Sequence, residues 1–454
     1  MTNRDIPIPE YTPDGNGYVD IKNETLKIGW FFTVLLLTFL GCSTNKSDSD
    51  SSSSSDSLRD SNPTTNTDYL FQQEGPPFNV IYITVDDLGP FLGCYGYKEV
   101  ISPNLDRFAE QSVMFTDVHC QVALCTPSRT SILTGIRPTT SGIVKINDPW
   151  KEMIPEARSL PMHFRKNDYN TYATGKIYDL RSGGLEESAF DFDDPNKLTD
   201  NQRALELLEM ANKSDKPFFA AIGYSQVHTQ WQPSERSKRL YDLDEISIDH
   251  MSKNYGGQEQ TPEETRKYVR DYYADITDVD SLIGGVLGKI EDLGLLERSV
   301  ILVGSMDHGY SLGWHGKWGK GNNYDMETQV PLFIRVPGLS ENGTRCNAVI
   351  ELLDLYPTLV ELCGLPKPPQ NLEGTSLIPL LEEPGSAWKS AAFTTRAYHL
   401  NDFGIKTKEY TLVSREAEGV RLFDRKSDPF NLHDVSQAKP EVVEELLALR
   451  DQIL

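Results

Sequence analysis

Phe78 to Asp87 reads FNVIYITVDD, an apolar and β-branched run that closes on two acids. Such a run predicts a strand buried on both faces, with polar groups at its C-terminal tip. SVILVGSMDHG, from Ser299 to Gly309, repeats the design and ends on Asp307 and His308. KPFFAAIGYSQVH, from Lys216 to His228, does so a third time, and VPLFIRVPG (Val330 to Gly338) predicts a further strand. Helical periodicity fills the intervals, most clearly from Glu264 to Gly294, and Leu352 to Leu365 predicts a helix packing back on the sheet. Strands alternating with long helices imply a layered α/β fold that binds ligands at the carboxyl ends of its strands.

Beyond Pro384 the pattern changes to short strands, GIKTKEYTLVSR and GVRLFDRK, followed by a terminal helix from Pro440 to Leu454. This divides the folded part into a main domain over 77–384 and a small α+β C-terminal domain over 385–454. Upstream, Ser43 to Asp68 is too polar and repetitive to pack, so residues 43–76 are expected to form a disordered tether. The apolar run Ile28 to Leu40 is too short to span a bilayer comfortably and fits the core of an export signal over 1–42. Phe39-Leu40-Gly41-Cys42 resembles a relaxed bacterial lipobox, with Cys42 the residue to be lipidated and a membrane lipid as anchor; an ordinary signal peptide or an uncleaved anchor is the alternative. Each of these readings exports the protein, to the periplasm or cell envelope.

Among the 454 residues, 44 basic against 67 acidic side chains give a net charge of −23. That excludes non-specific nucleic-acid binding and requires local cations for any anionic substrate. Six cysteines are too few for a disulfide scaffold. Cys42 and Cys125 have other candidate uses, and free buried thiols are the default for Cys94, Cys120, Cys346 and Cys363.

Asp86, Asp87 and Asp307 sit at predicted strand tips. Separately they read as solvated strand ends or helix caps; converging, they make an oxygen-rich site for Ca²⁺ or Mg²⁺. The string Cys125-Thr126-Pro127-Ser128-Arg129, continued by Thr130 to Gly135, resembles the Cys-x-Pro-x-Arg signature of the sulfatases, whose cysteine is oxidised to formylglycine. VDDLG, Gly175-Lys176, His228 and DHGYSLGWHGKWGKGNNYD from Asp307 keep it company. The last string is most similar to the iduronate-2-sulfatase branch, and the resemblance runs from Phe78 to the C-terminus.

The resemblance implies an alkaline-phosphatase/sulfatase-like mixed sheet flanked by helices, and an enzyme matured by a formylglycine-generating partner. It implies metal ligands at Asp86, Asp87, residue 125, Asp307 and His308, with Ca²⁺ favoured over Mg²⁺. Arg129 would pin the nucleophile and carboxylates, Lys176 and Lys320 would bind sulfate, and His228 would protonate the leaving oxygen unless it is a core histidine. His315 is a candidate for reading a substrate carboxylate or hydroxyl. Trp231, Trp314 and Trp318 are candidate sugar-stacking walls, Trp318 equally a core residue. One position departs from the pattern. Where the family has Gly-Lys-x-x-His, this chain has Gly175-Lys176-Ile177-Tyr178-Asp179, so Asp179 is expected either to replace the basic histidine or to contact the sugar. The implied substrate is a sulfated, uronic-acid-containing carbohydrate such as ulvan or a glycosaminoglycan. The rivals are a phosphonate or phosphate monoester hydrolase of the same superfamily, and a non-catalytic surface protein that binds sulfated glycans.

Overall fold

The structure, a computed structural model, describes residues 77–453 apart from 187, 197 and 199. The expected export signal, Cys42 and the tether lie outside the described residues. No helix among the described residues is long and apolar enough to cross a membrane.

The first half of the described chain supplies β1 (Asn79–Val85), α1 (Pro103–Ala109), β2 (Val113–His119), α2 (Cys125–Thr134), α3 (Leu160–Lys166), β3 (Asn170–Gly175) and β4 (Phe192–Asp194). Then come α4 (Gln202–Asn212), β5 (Phe218–Tyr224), α5 (Pro262–Asp292), β6 (Ser299–Gly304), β7 (Gln329–Arg335), β8 (Arg345–Glu351) and α6 (Leu355–Leu362). These eight strands form one sheet in the order β8-β2-β7-β6-β1-β5-β3-β4. β1 lies between β5 and β6, parallel to both and buried at every position, as its unbroken apolar run predicts.

β7 runs antiparallel to β6 and to β2, which makes the sheet mixed. Residues 305–328, which join β6 to β7, contain only short elements, and an antiparallel return needs no crossover helix. α5 covers one face of the sheet. Thr261 and Glu264 close its N-terminus as a capping box, with Pro262 in the first turn. Its buried Val269, Tyr272, Ile276, Val279, Ile283, Val286 and Ile290 follow helical spacing.

Near the C-terminus, β9 (Ala392–Arg396), β10 (His399–Lys406), β11 (Tyr410–Arg415) and β12 (Gly419–Asp424) form an antiparallel sheet in sequence order. α7 (Pro440–Ile453) packs Leu446 against its Phe393, Ile405, Leu412 and Leu422. Buried charges tie this sheet to the main one. Arg425 grips Asp117 on β2 with Nη1 at 2.6 Å and Nη2 at 2.5 Å, and its Nε lies 3.2 Å from Asp325. Lys406, fully buried, pairs with the same Asp325 at 2.9 Å. Burial alone would raise the Asp117 carboxyl, but Arg425 and then His119 hold it down to about 2.

Because Arg425 neutralises two buried carboxylates, Arg425→Met should lower the unfolding free energy by about 3–5 kcal/mol, the cost of stranding a buried charge. Lys216→Met breaks only the exposed pair with Asp168 and should change stability by less than about 1 kcal/mol. Equal shifts in the denaturant midpoints of the two variants would refute this ranking.

Candidate active site

Three strand tips and one helix start converge at one edge of the main sheet. β1 delivers Asp86 and Asp87. Asp87 adopts a left-handed backbone with φ 57°, a conformation uncommon outside glycine. The Tyr272 hydroxyl holds that turn, donating to the Asp87 carbonyl at 3.0 Å and accepting from Gly89 N–H at 3.1 Å. The Asp86 carbonyl accepts from Val227 N–H at 2.8 Å, fastening the end of β5 and bringing His228 alongside. β6 delivers Asp307 and His308. Cys125 is the first residue of α2, so it stands at the positive end of the helix dipole.

All of α2 is buried although most of its side chains are polar. The Ser128 hydroxyl donates to the Asp307 carbonyl at 2.5 Å and Thr126 donates to the Ile146 carbonyl at 2.6 Å. Arg129 crosses the space between strands. Its Nη2 reaches Asp86 Oδ1 at 3.0 Å and Asp307 Oδ2 at 3.3 Å, while Nη1 donates to the carbonyls of Lys176 and Ile177 at 3.0 Å each. Lys176 follows Gly175, whose φ of 76° and missing side chain are both required, because a Cβ would lie 2.0 Å from the Gly223 carbonyl oxygen.

The cysteine sulfur is ringed by charge. Lys320 Nζ lies 3.3 Å from Sγ, His308 Nε2 3.5 Å, Lys176 Nζ 3.7 Å and Asp86 Oδ1 4.0 Å. The same lysines pair at 2.5 Å with the acids, Lys176 with Asp86 and Lys320 with Asp87. Burial would raise the Cys125 thiol, but Lys320 and Lys176 outweigh it and hold it well below its ordinary value. Burial pushes Asp307 well above the usual carboxylate range.

The residues fit a divalent cation. Asp87 Oδ2 and Asp307 Oδ1 are buried with no hydrogen-bond partner among the described residues. One ligand atom each from Asp87, Cys125, Asp307 and His308 lie within 4.8 Å of one another. His308 Nδ1 donates to the Gly309 carbonyl at 2.9 Å, which turns the Nε2 lone pair toward the carboxylates. A donor set dominated by carboxylate oxygen suits a hard cation. A ring nitrogen of His228 lies within 4.8 Å of ligand atoms of Asp86, Asp87 and Cys125, and its Nδ1 bonds the Thr229 carbonyl at 2.5 Å. Asp87 first, and against burial, raises the His228 imidazole above its ordinary value.

The structure thus brings together Asp86, Asp87, Cys125, Arg129, Lys176, His228, Asp307, His308 and Lys320. Asp179 and His315 each have a protein partner outside this cluster. Both Asp179 carboxylate oxygens accept from Arg181. His315 stacks on Tyr324 with ring centres 3.6 Å apart and bonds the Phe430 carbonyl at 2.9 Å, so it fastens the C-terminal segment instead of facing the cluster. Trp314 is buried and stacked on Phe430. Trp231 and Trp318 are half-buried, and their indole N–H groups donate to the Val227 and Ser252 carbonyls. Sequence reasoning missed Ser128 and Tyr272, which act through backbone carbonyls and carry no pattern of their own. The five cysteines among the described residues are all free.

Residues 78–365 match the sulfatase family, and residues 313–453 match the C-terminal region of N-sulphoglucosamine sulphohydrolase. Iduronate 2-sulfatase of Mus musculus is 29% identical over 388 residues, 64% of this chain and 70% of that protein. An ulvan-active sulfatase of Formosa agariphila is 29% identical over 416 residues, 82% of this chain and 79% of that protein. A solved protein in complex with its substrate, D-glucosamine-2-N,6-O-disulfate, shares the fold at a TM-score of 0.70 and 21% identity, covering 83% of this chain and 97% of its own. With the family match spanning more than half its length, this chain belongs to the sulfatases, enzymes that hydrolyse sulfuric esters.

Proposed function

We propose that the protein is an exported, formylglycine-dependent sulfatase that removes sulfate from a uronic-acid-containing carbohydrate, with Ca²⁺ as its metal. The observation that carries the reading is the setting of Cys125: buried at the first turn of α2, flanked by two lysines, and beside Asp86, Asp87 and Asp307, the last two each with an unpartnered oxygen. As a hydrated aldehyde, residue 125 would supply one hydroxyl to attack sulfur and a second whose deprotonation lets sulfate leave. Ca²⁺, held by Asp86, Asp87, Asp307, His308 and residue 125, would polarise the sulfate and favour the ionised nucleophile.

The remaining work falls to the chain's own side chains. Lys176 and Lys320 reach within 3.7 Å and 3.3 Å of the position 125 sulfur, so their ammonium groups would meet sulfate oxygens there. The α2 N-terminus adds N–H groups oriented toward an anion. Arg129 holds Asp86 and Asp307 in place, at 3.0 Å and 3.3 Å. His228, with Nδ1 engaged by the Thr229 carbonyl and its ring beside Asp87 and Cys125, would protonate the leaving sugar oxygen. Relatives named for iduronate and for ulvan support a sulfated carbohydrate as substrate, and the first supports a uronate. Maturation by a formylglycine-generating enzyme, and lipid anchoring at Cys42 in a periplasm or cell envelope, complete the proposal.

Cation binding has a readout that needs no turnover. Adding Ca²⁺ to metal-stripped protein should raise the melting temperature, with about 2.7 kcal/mol of added stability at a hundred times the dissociation constant. Asp307→Asn should lose most of that rise. A melting temperature indifferent to Ca²⁺ would remove the metal site.

The nucleophile is tested by mass and by rate. After co-production with a maturase, the peptide holding Cys125 should show the thiol-to-aldehyde mass loss, and Cys125→Ala should fold yet lose turnover. Retention of wild-type rates in Cys125→Ala would overturn the proposal. His228→Ala should slow hydrolysis of a sulfated sugar by about 10²–10⁴-fold, the usual worth of a general acid.

A further inference from the structure

Position 179 is where the chain leaves the family pattern, and the structure gives its aspartate a defined partner. Asp179 Oδ1 accepts from the Arg181 backbone N–H at 3.1 Å and from Arg181 Nε at 2.9 Å, and Oδ2 accepts from Nη2 at 2.7 Å. The Ser182 hydroxyl donates to the Asp179 carbonyl at 2.7 Å and closes the same turn. The two side chains differ sharply in exposure: 5% for Asp179 and 53% for Arg181. An ordinary surface pair has both partners in water and contributes little. Here a buried carboxylate fixes the side edge of a guanidinium whose outer part stays in solvent. The bonds to Asp179 use Nε and Nη2, so Nη1 is the end directed away from it.

The segment that carries this guanidinium starts at the reaction centre, and the charges of Cys125 and Asp86 act on it. Arg181 lies five positions beyond Lys176, whose Nζ is 3.7 Å from the Cys125 sulfur. The Asp179 hydrogen bond, aided by the charges of Cys125 and Asp86, outweighs burial and holds Arg181 firmly protonated. The carbonyls of Lys176 and Ile177 are themselves clamped by Arg129, which anchors the start of this segment to the reaction centre.

We propose that Arg181, fixed by Asp179, forms an anion subsite beside the reaction centre that holds a second negative group of the substrate, a carboxylate or a second sulfate near the scissile ester. Asp179 is then a positioning residue. The subsite rests on the sulfatase reading given above and narrows its substrate to carbohydrates with at least two anionic groups. A planar fork held on one edge suits either oxyanion.

Two matched pairs of probes separate the sources: a sulfated uronate disaccharide with its carboxyl-reduced counterpart, and glucosamine carrying two sulfates with glucosamine carrying one. The wild-type enzyme should prefer the more anionic member of at least one pair. Arg181→Ala should cut that preference by about 10- to 100-fold, mainly through KM, while leaving the less anionic member within about twofold. Arg181→Lys should recover only part of it, because charge returns without the fork. Asp179→Asn should lose preference in the same direction. A loss confined to the uronate pair assigns a carboxylate, and one confined to the glucosamine pair assigns a second sulfate. If Arg181→Ala and Arg181→Lys slow both members of each pair equally, or leave the preference intact, the subsite is wrong. If matured wild-type enzyme desulfates none of the probes, the failure belongs to the sulfatase reading.

Discussion

The contact on which the site depends is Arg129 held between Asp86 and Asp307. These carboxylates come from neighbouring strands, both are buried, and each would be costly without a counter-charge. One guanidinium serves both while its other nitrogen clamps the carbonyls after β3, so a single side chain on α2 joins the ends of β1, β6 and β3. That arrangement sets where Cys125 stands. It also leaves the charge unbalanced once sulfate arrives. Lys176 and Lys320 now neutralise Asp86 and Asp87, and the same ammonium groups are the ones within reach of a sulfate at position 125. Sharing them with sulfate would uncover the carboxylates, and a divalent cation at this edge would then restore the balance.

The C-terminal sheet contributes to the same balance from a distance. Lys320 is carried on the segment after β6, and that segment is secured at several points beyond it. Asn322 N–H donates to Glu327, Tyr324 lies against His315, and Asp325 is held by Lys406, Arg425, Thr411 and Asn431. Three of the residues that hold Asp325 come from the C-terminal strands and the turn after them. A lysine with a flexible stem is placed precisely only when its backbone is fixed, so the C-terminal sheet helps to set where the Lys320 ammonium stands beside Asp87 and Cys125. His315 belongs to this framework. Its position in a conspicuous motif invited a substrate role, but the ring stacking and the bond to Phe430 give it a bracing one.

How much of this was legible in the sequence follows from how each signal is generated. β1, β5 and β6 announce themselves because a strand buried on both faces must be apolar throughout, and their tips mark Asp86, Asp87, His228, Asp307 and His308. β2 and β8 were not evident, since VMFTDVH and RCNAVIE interleave polar residues that answer to partners elsewhere: Asp117 to Arg425, Glu351 to Arg137 and Lys389. α2 was legible by motif and not by periodicity, because it is buried on every side and its hydroxyls are satisfied by carbonyls. The partner of Asp179 was hidden for a related reason. The departure from Gly-Lys-x-x-His marks the position, but only the fold shows that Arg181 takes both of its oxygens.

A net charge of −23 opposes an anionic substrate at long range. The distances decide otherwise. At physiological ionic strength the Debye length is about 8 Å, so acids spread over the outer surface are largely screened from the sheet edge. Lys176, Lys320 and Arg129 are within that range of position 125, and they work where burial weakens screening. Arg181 extends the positive region outward to solvent, where an approaching polyanion would first meet it. A globally acidic chain can therefore keep its solubility and still capture anions, because the two properties act over different lengths.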